Sequence, residues 1–275
     1  GKHEAQKPPV PAMSWRALVS AWRSDPRVQK ELSDGTKVSY RRTMDALLAK
    51  NADKDVRRTT RQHVRAIHAK LAETPRKADH MLQVISLLWN YGKKKLDWPI
   101  GDNPASGVDL YGKARGYDPW PPWMQAQIGD APAALRTFFE VMLGTGQRPG
   151  AAALMAWDDF SGEWMSVADQ KSDEHFEIYC PERLRAYLAT LPKNGRHLLP
   201  KNIGQPLGYS AIEKQFRAWR EELGAGALPY TLHGLRKLAI VQLAEAGCSD
   251  AEIQAVTGQS AEMVAYYRQK ASRKR

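Results

Sequence analysis

The stretch LHGLRKLAIVQLAEAGCSDAEIQAVTGQS, residues 232–260, decides the reading of this chain. His233 and Arg236 stand three apart at the head of an apolar run, so on a helix both project from one face. The run continues through Leu238, Ile240, Val241 and Leu243 and stops at Gly247. A second helix is read over Asp250 to Thr257, with Thr257-Gly258-Gln259-Ser260 at its end. His233 and Arg236 could both converge on one phosphate; the plain alternative is a His-x-x-Arg that arises by chance.

Three more signals lie outward from this block. Upstream, Thr145-Gly146-Gln147-Arg148-Pro149-Gly150 follows an apolar helix predicted over 132–143. An arginine where a glycine turn meets a helix start can meet an anion with its planar fork, while helix N–H groups add positive potential. Between the two blocks, 164–168 and 175–179 alternate in polarity around Asp169-Gln170-Lys171-Ser172-Asp173, a β-hairpin with Lys171 at its tip. Downstream comes Met263-Val264-Ala265-Tyr266-Tyr267. Each signal has a plain alternative: Arg148 as a surface residue after a loop, Lys171 as a solvated turn lysine, the tyrosines as packing residues. A phenol is also a chemically sensible nucleophile toward DNA, since its phosphodiester can be reversed without ATP.

The chain has 275 residues, 43% hydrophobic and 9% aromatic, enough for one large domain or two ordinary ones with proper cores. No apolar stretch reaches the length of a membrane span and no signal-peptide pattern opens the chain, so a soluble protein of the cytoplasm is expected. Cys180 and Cys248 are too few for a disulfide framework, and none of the seven histidines sits in a zinc motif. No metal and no cofactor is expected. The net charge of +11 favours an anionic partner. It is unevenly spread: residues 1–111 hold 21 basic and 12 acidic side chains (21 − 12 = +9), the rest 20 and 18 (20 − 18 = +2).

The N-terminal third is predicted to hold four helices after a flexible lead-in over residues 1–11. The first carries Trp15, Leu18, Val19 and Trp22; the second, after a break at Gly35, carries Tyr40, Met44 and Leu47. The third carries Val64 and Ile67; the fourth starts at Thr74-Pro75 and ends in Lys93-Lys94-Lys95, where cations complement a helix C-terminus. Lys37, Arg41, Arg42, Arg76, Lys77, Lys93, Lys94 and Lys95 are candidates for contacts to a nucleic-acid backbone, with a solvated face as the alternative.

In their order, these signals resemble the tyrosine recombinase (phage integrase) family, whose motifs run Arg, Lys on a β-hairpin, His-x-x-Arg, His or Trp, then Tyr. The matching stretches are TGQRPGAAALMAWDDF, VADQKS, the block 232–260 and MVAYY, with TKVSYRRTMDALL and NPASGV in the N-terminal part. The resemblance implies a mainly α, two-domain DNA clamp. It would comprise a four-helix SAM-like core-binding domain (12–108), a linker (109–122) and an α-rich catalytic domain with a small antiparallel sheet (123–275).

It further implies that Arg148 and Arg236 bind the scissile phosphate, Tyr267 attacks it, Lys171 protonates the leaving 5′-oxygen and His233 accepts the phenol proton. The partners it implies are double-stranded DNA at a specific site and a homotetramer on two duplexes, monomeric when free, with an accessory directionality factor. Three features depart from the pattern. Gln259 stands where His or Trp is usual, its distance to Tyr267 is one residue short, and Ala151 replaces a frequent acidic residue. These departures keep open Tyr266 as the nucleophile and a binding-only member of the fold. A type IB topoisomerase is a further alternative, against which the helical N-terminal part argues.

Overall fold

A computed structural model describes residues 9–112, 117–168, 175–269 and 271. The chain divides into two compact units, 1–116 and 117–275. Most of the lead-in read over 1–11 and the whole hairpin tip with Lys171 lie outside the described residues.

The first unit is all helical. The four predicted helices are α1 (Trp15–Ser24), α3 (Asp34–Asn51), α4 (Arg61–Ala69) and α5 (Pro75–Lys95), and a six-residue helix, α2 (Pro26–Glu31), joins α1 to α3. Gly35 does not break the chain as expected. It sits in the first turn of α3, behind the cap in which Ser33 Oγ accepts from the Thr36 N–H. A glycine there costs little, because the first-turn N–H groups have no helical partner to lose. Thr60 caps α4, with His63 closing a reciprocal capping box. Trp15, Leu18, Met44, Leu47, Ile85 and Leu88 are buried together where α1, α3 and α5 meet. At roughly 1.5–3 kcal/mol for each large apolar side chain, this burial is what holds the three helices together.

The second unit is mainly helical with one small sheet. Its helices are α6 (Pro122–Ala126), α7 (Ala133–Thr145), α8 (Pro149–Ala152), α9 (Glu182–Ala189), α10 (Tyr209–Glu222), α11 (Leu232–Glu245), α12 (Asp250–Thr257) and α13 (Ala261–Arg268). The predicted strands are β2 (Trp164–Ala168) and β3 (His175–Tyr179), antiparallel with Met165 opposite Ile178. A two-residue strand, β1 (Phe160–Ser161), extends the sheet to three in the order β1-β2-β3. Helix α7 is central: Phe138, Phe139 and Met142 are fully buried, and Phe139 meets Trp120, Phe216 and Trp219.

The stretch read as linker over 109–122 is anchored at both ends. In the first unit Tyr111 stacks on His68 at 4.2 Å, and the Tyr111 and Gly112 N–H groups donate to Asp79, whose carboxylate also bonds His68 at 2.8 Å. In the second unit Trp120 is 1% exposed, its indole N–H donating to the Thr231 carbonyl at 2.8 Å. Pro122 opens α6 instead of ending the linker.

Candidate active site

Two helix ends with the same local chemistry frame the site. At the end of α7, Thr145 Oγ1 donates to the Val141 carbonyl and Gly146 closes the helix at φ +60°. At the end of α12, Thr257 Oγ1 donates to the Ile253 carbonyl and Gly258 closes the helix at φ +61°. Both glycines use the left-handed conformation that a Cβ penalises.

The two turns touch. A Cβ on Gly146 would lie 2.8 Å from the Thr257 methyl, and Gln147 Nε2 donates to the Val256 carbonyl at 3.1 Å. Arg148, the next residue, is the half-buried N-cap of α8.

Helix α11 runs beside this pair of turns and supplies His233, Arg236 and Lys237. Arg236 is 5% exposed, and its Nη2 donates to the Thr257 carbonyl, so the second turn grips the guanidinium from behind. The Gln259 amide can face two ways. In one its oxygen accepts from Lys237 Nζ at 3.4 Å; turned over, it accepts from Arg236 Nε at 2.6 Å and Nη2 at 3.1 Å. The second orientation makes two short charge-assisted bonds in place of one long one, and it is favoured.

His233 is half-buried under the Tyr117 ring, the two stacked at 4.6 Å. Burial, helped by the positive charges of Arg236, Lys237 and Arg148, pushes the imidazole pKa down, so at neutral pH the ring is uncharged and able to take a proton. Gly234 allows the 118–120 segment to cross the head of α11. A Cβ there would lie 2.5 Å from the Asp118 carbonyl and 2.8 Å from the Trp120 ring.

Tyr267, on α13, is 2% exposed and packs in a cluster with Ile240, Val241, Ile253 and Val264. Its hydroxyl donates to the Tyr117 carbonyl at 2.8 Å, and Lys237 Nζ lies over its ring, 4.6 Å from the centroid. Burial first, then Tyr266 and Asp118, push its phenol up to about 12. Tyr266 meets it edge-on but is 50% exposed.

Among the predicted site residues, Arg148, His233, Arg236, Gln259 and Tyr267 thus occupy one region of the second unit, and Lys171 lies outside the described residues. Lys237 and Tyr117 were not read from the sequence. Lys237 carried a usable signal, a lysine four residues after His233 in an apolar helix; Tyr117 carried none, since its role depends on contacts 116 and 150 positions away.

A direct sequence match gives the family. Residues 124–274 fit the family described as the phage integrase family. The chain belongs to that family. No curated protein matches it in sequence. Solved structures show the same fold at low identity. A lambda integrase (75–356) dimer bound to a COC' core site is 17% identical with a TM-score of 0.79, covering 96% of this chain and 98% of that one. A lambda integrase tetramer bound to a Holliday junction is also 17% identical at TM-score 0.79, covering 93% of this chain and 77% of that one. The Tn1549 transposon integrase (aa 82–397) in complex with circular intermediate DNA is 14% identical at TM-score 0.73, covering 95% of this chain and 97% of that one.

Seven of the eight candidate backbone-contact residues of this integrase-family chain, all but Arg42, fall into two groups in the first unit. Lys37 and Arg41 lie one turn apart on α3; Tyr40 stacks on His80 of α5, and Thr43 bonds the same ring at 2.8 Å. Arg76 and Lys77 are one turn before His80, so these four side chains share one end of the unit. Lys93, Lys94 and Lys95 stand at the opposite end of α5, about 25 Å away along the helix. Arg41, Arg42, Arg76, Lys77 and the three terminal lysines are exposed; Lys37 is half-buried and pairs loosely with Asp34 at 3.7 Å.

Proposed function

We propose that this protein is a site-specific DNA recombinase that cleaves and rejoins DNA through Tyr267. The observation that carries the proposal is the meeting of Arg148, His233 and Arg236 beside the buried phenol of Tyr267. Two arginines that both bear on His233 suit a phosphodiester, whose pentavalent transition state gains negative charge.

In the first step the phenol oxygen of Tyr267 attacks phosphorus and its proton passes to His233. The bond from phosphorus to the 5′-oxygen breaks, and that oxygen takes a proton from a general acid, the role proposed for Lys171. A 3′-phosphotyrosyl link and a free 5′-hydroxyl result. Attack by a 5′-hydroxyl from the partner duplex reverses the step and joins the strands. Before attack the phenol must leave the Tyr117 carbonyl that it bonds here.

Lys37, Arg41, Arg42, Arg76, Lys77 and Lys93–Lys95 are proposed to hold the DNA backbone. Arg76 and Lys77 stand in the first turn of α5, where the helix dipole disfavours cations and a phosphate would reverse that balance. The tetramer that lambda integrase forms on a Holliday junction supports a four-protomer assembly on two duplexes here. We extend the reading to integration or excision of a mobile element and to a directionality factor as accessory partner.

A binding-only role is the second reading. Gln259, which cannot titrate, and the phenol held by Tyr117 with a pKa of about 12 favour it. A nicked suicide substrate separates the two. The recombinase reading expects a covalent adduct that Tyr267→Phe abolishes and Tyr266→Phe retains. No adduct from the unaltered protein supports binding alone. Relaxation of any supercoiled plasmid without site dependence supports a topoisomerase.

A further inference from the structure

Lys237 is a buried lysine of the second unit. It is 7% exposed, on a helix whose neighbouring positions 238–241 are apolar and buried. Among the described residues no carboxylate pairs with it, and the favoured orientation of Gln259 turns that amide's oxygen to Arg236 instead. Its ammonium faces the π surface of Tyr267, 4.6 Å from the ring centroid. A buried ammonium without a counter-ion is destabilising in the free protein, and an adjacent methionine-sized apolar side chain would fill the same volume at lower cost. Such a charge is compensated only when negative charge arrives or develops beside it.

We infer that Lys237 is a positioning residue for the nucleophile: its ammonium fixes the Tyr267 ring and favours phenolate over phenol as attack on the phosphate proceeds. The inference rests on the reading of Tyr267 as the nucleophile. Lys237 keeps its proton throughout; the phenol proton goes to His233 as before. The cation acts through the ring it covers, where a desolvated ammonium is worth most. With Arg148 and Arg236 it makes three positive charges around one anion, and it supplies beside Gln259 a cation which that amide lacks.

The groups facing Lys237 define its pH behaviour. Arg236 lies next to it on α11, with His233 one turn back; Tyr267 and Gln259 face it from α13 and the preceding turn; Tyr266 and Asp118 bear on Tyr267, whose phenol they push up. Burial, then Arg236, lowers its pKa from 10.5 to about 8, so the ammonium is present at neutral pH and titrates away above about pH 8.

The test is the second-order rate of adduct formation on a nicked duplex carrying the protein's own site, recovered by footprinting, across the pH range spanning neutrality to the lysine's titration. Under these limiting conditions the profile reports the free protein. Lys237→Met is expected to react roughly ten- to thirtyfold more slowly at neutral pH, with the gap to the unaltered protein closing above about pH 8. Lys237→Arg is expected to restore most of the rate and to keep it at higher pH. The melting temperature of Lys237→Met should equal or exceed that of the unaltered protein. An unchanged neutral-pH rate in Lys237→Met overturns the inference, as does a slowdown that is equal at every pH and tracks a lower melting temperature. No adduct from the unaltered protein is a different failure: it removes the nucleophile reading of Tyr267, and this inference with it.

Discussion

The turns Thr145-Gly146-Gln147 and Thr257-Gly258-Gln259 have the same three residues, the same threonine-to-carbonyl bond and the same left-handed glycine, yet they do different work. In the first, the glutamine is 8% exposed and turned inward, spending its amide on the carbonyl of Val256. In the second, the glutamine is half-buried and its oxygen meets the guanidinium of Arg236. One turn is a joint and the other a working surface. The difference does not lie in the local sequence. It lies in what each glutamine meets: Gln147 the Val256 carbonyl of the second turn, and Gln259 the Arg236 guanidinium on α11.

The largest expected effects come from the arginines that the two turns position. Arg148→Ala and Arg236→Ala should each slow adduct formation by about 10²–10³-fold or more, measured in single turnover on a nicked duplex. Equal losses would mean that both turns serve one phosphate. A loss confined to Arg236 would leave Arg148 outside the chemistry.

The contact between the turns comes next. Gly146→Ala adds left-handed strain and a 2.8 Å approach to the Thr257 methyl, and should cost roughly 2–4 kcal/mol in chemical denaturation. Thr257→Ser removes that methyl and keeps the hydroxyl bonded to Ile253, so the double variant should recover part of the loss. Strict additivity would show that the turns do not touch.

The glutamines then separate joint from surface. Gln147→Leu leaves the Val256 carbonyl without its side-chain donor and should cost about 1–2 kcal/mol of stability, with the rate per folded molecule kept. Gln259→Leu should do the reverse, lowering the rate with little change in stability. If the two variants behave alike, the distinction drawn between the turns is wrong.

The smallest effect is a pH dependence. His233 has a folded pKa below its unfolded value, so the unfolded state binds more protons as pH falls through the ordinary histidine range near 6.5. Stability should therefore decline with falling pH in that window, and His233→Gln should flatten the decline, read from melting temperatures.

Much of this was legible in the sequence, and the rest was not for identifiable reasons. Helices with an apolar stripe, such as α1 and α5, and the alternating β2 and β3 announced themselves through periodicity. Helix α2 and strand β1, six and two residues long, are too short to show a period. Gly35 was read as a break because a glycine's cost depends on whether it falls in the first turn or mid-helix, which the cap at Ser33 decides. That Arg148, His233, Arg236 and Tyr267 share one region is expected from motif order; their roles are proposals. The inward direction of Lys237 is not legible from sequence, because a lysine is usually solvated and where it points depends on helix packing. The anchoring of Tyr111 and Trp120 within a Gly- and Pro-rich stretch comes from partners far away in the chain, His68, Asp79 and Thr231.

The most direct test of the central claim is to trap the protein on a nicked duplex carrying its site, digest the complex and locate the nucleotide-bearing peptide by mass spectrometry. The account predicts a 3′-phosphotyrosyl link on Tyr267, within the segment Ala261–Arg268. A link on Tyr266, or DNA that is bound and never cleaved, would contradict it.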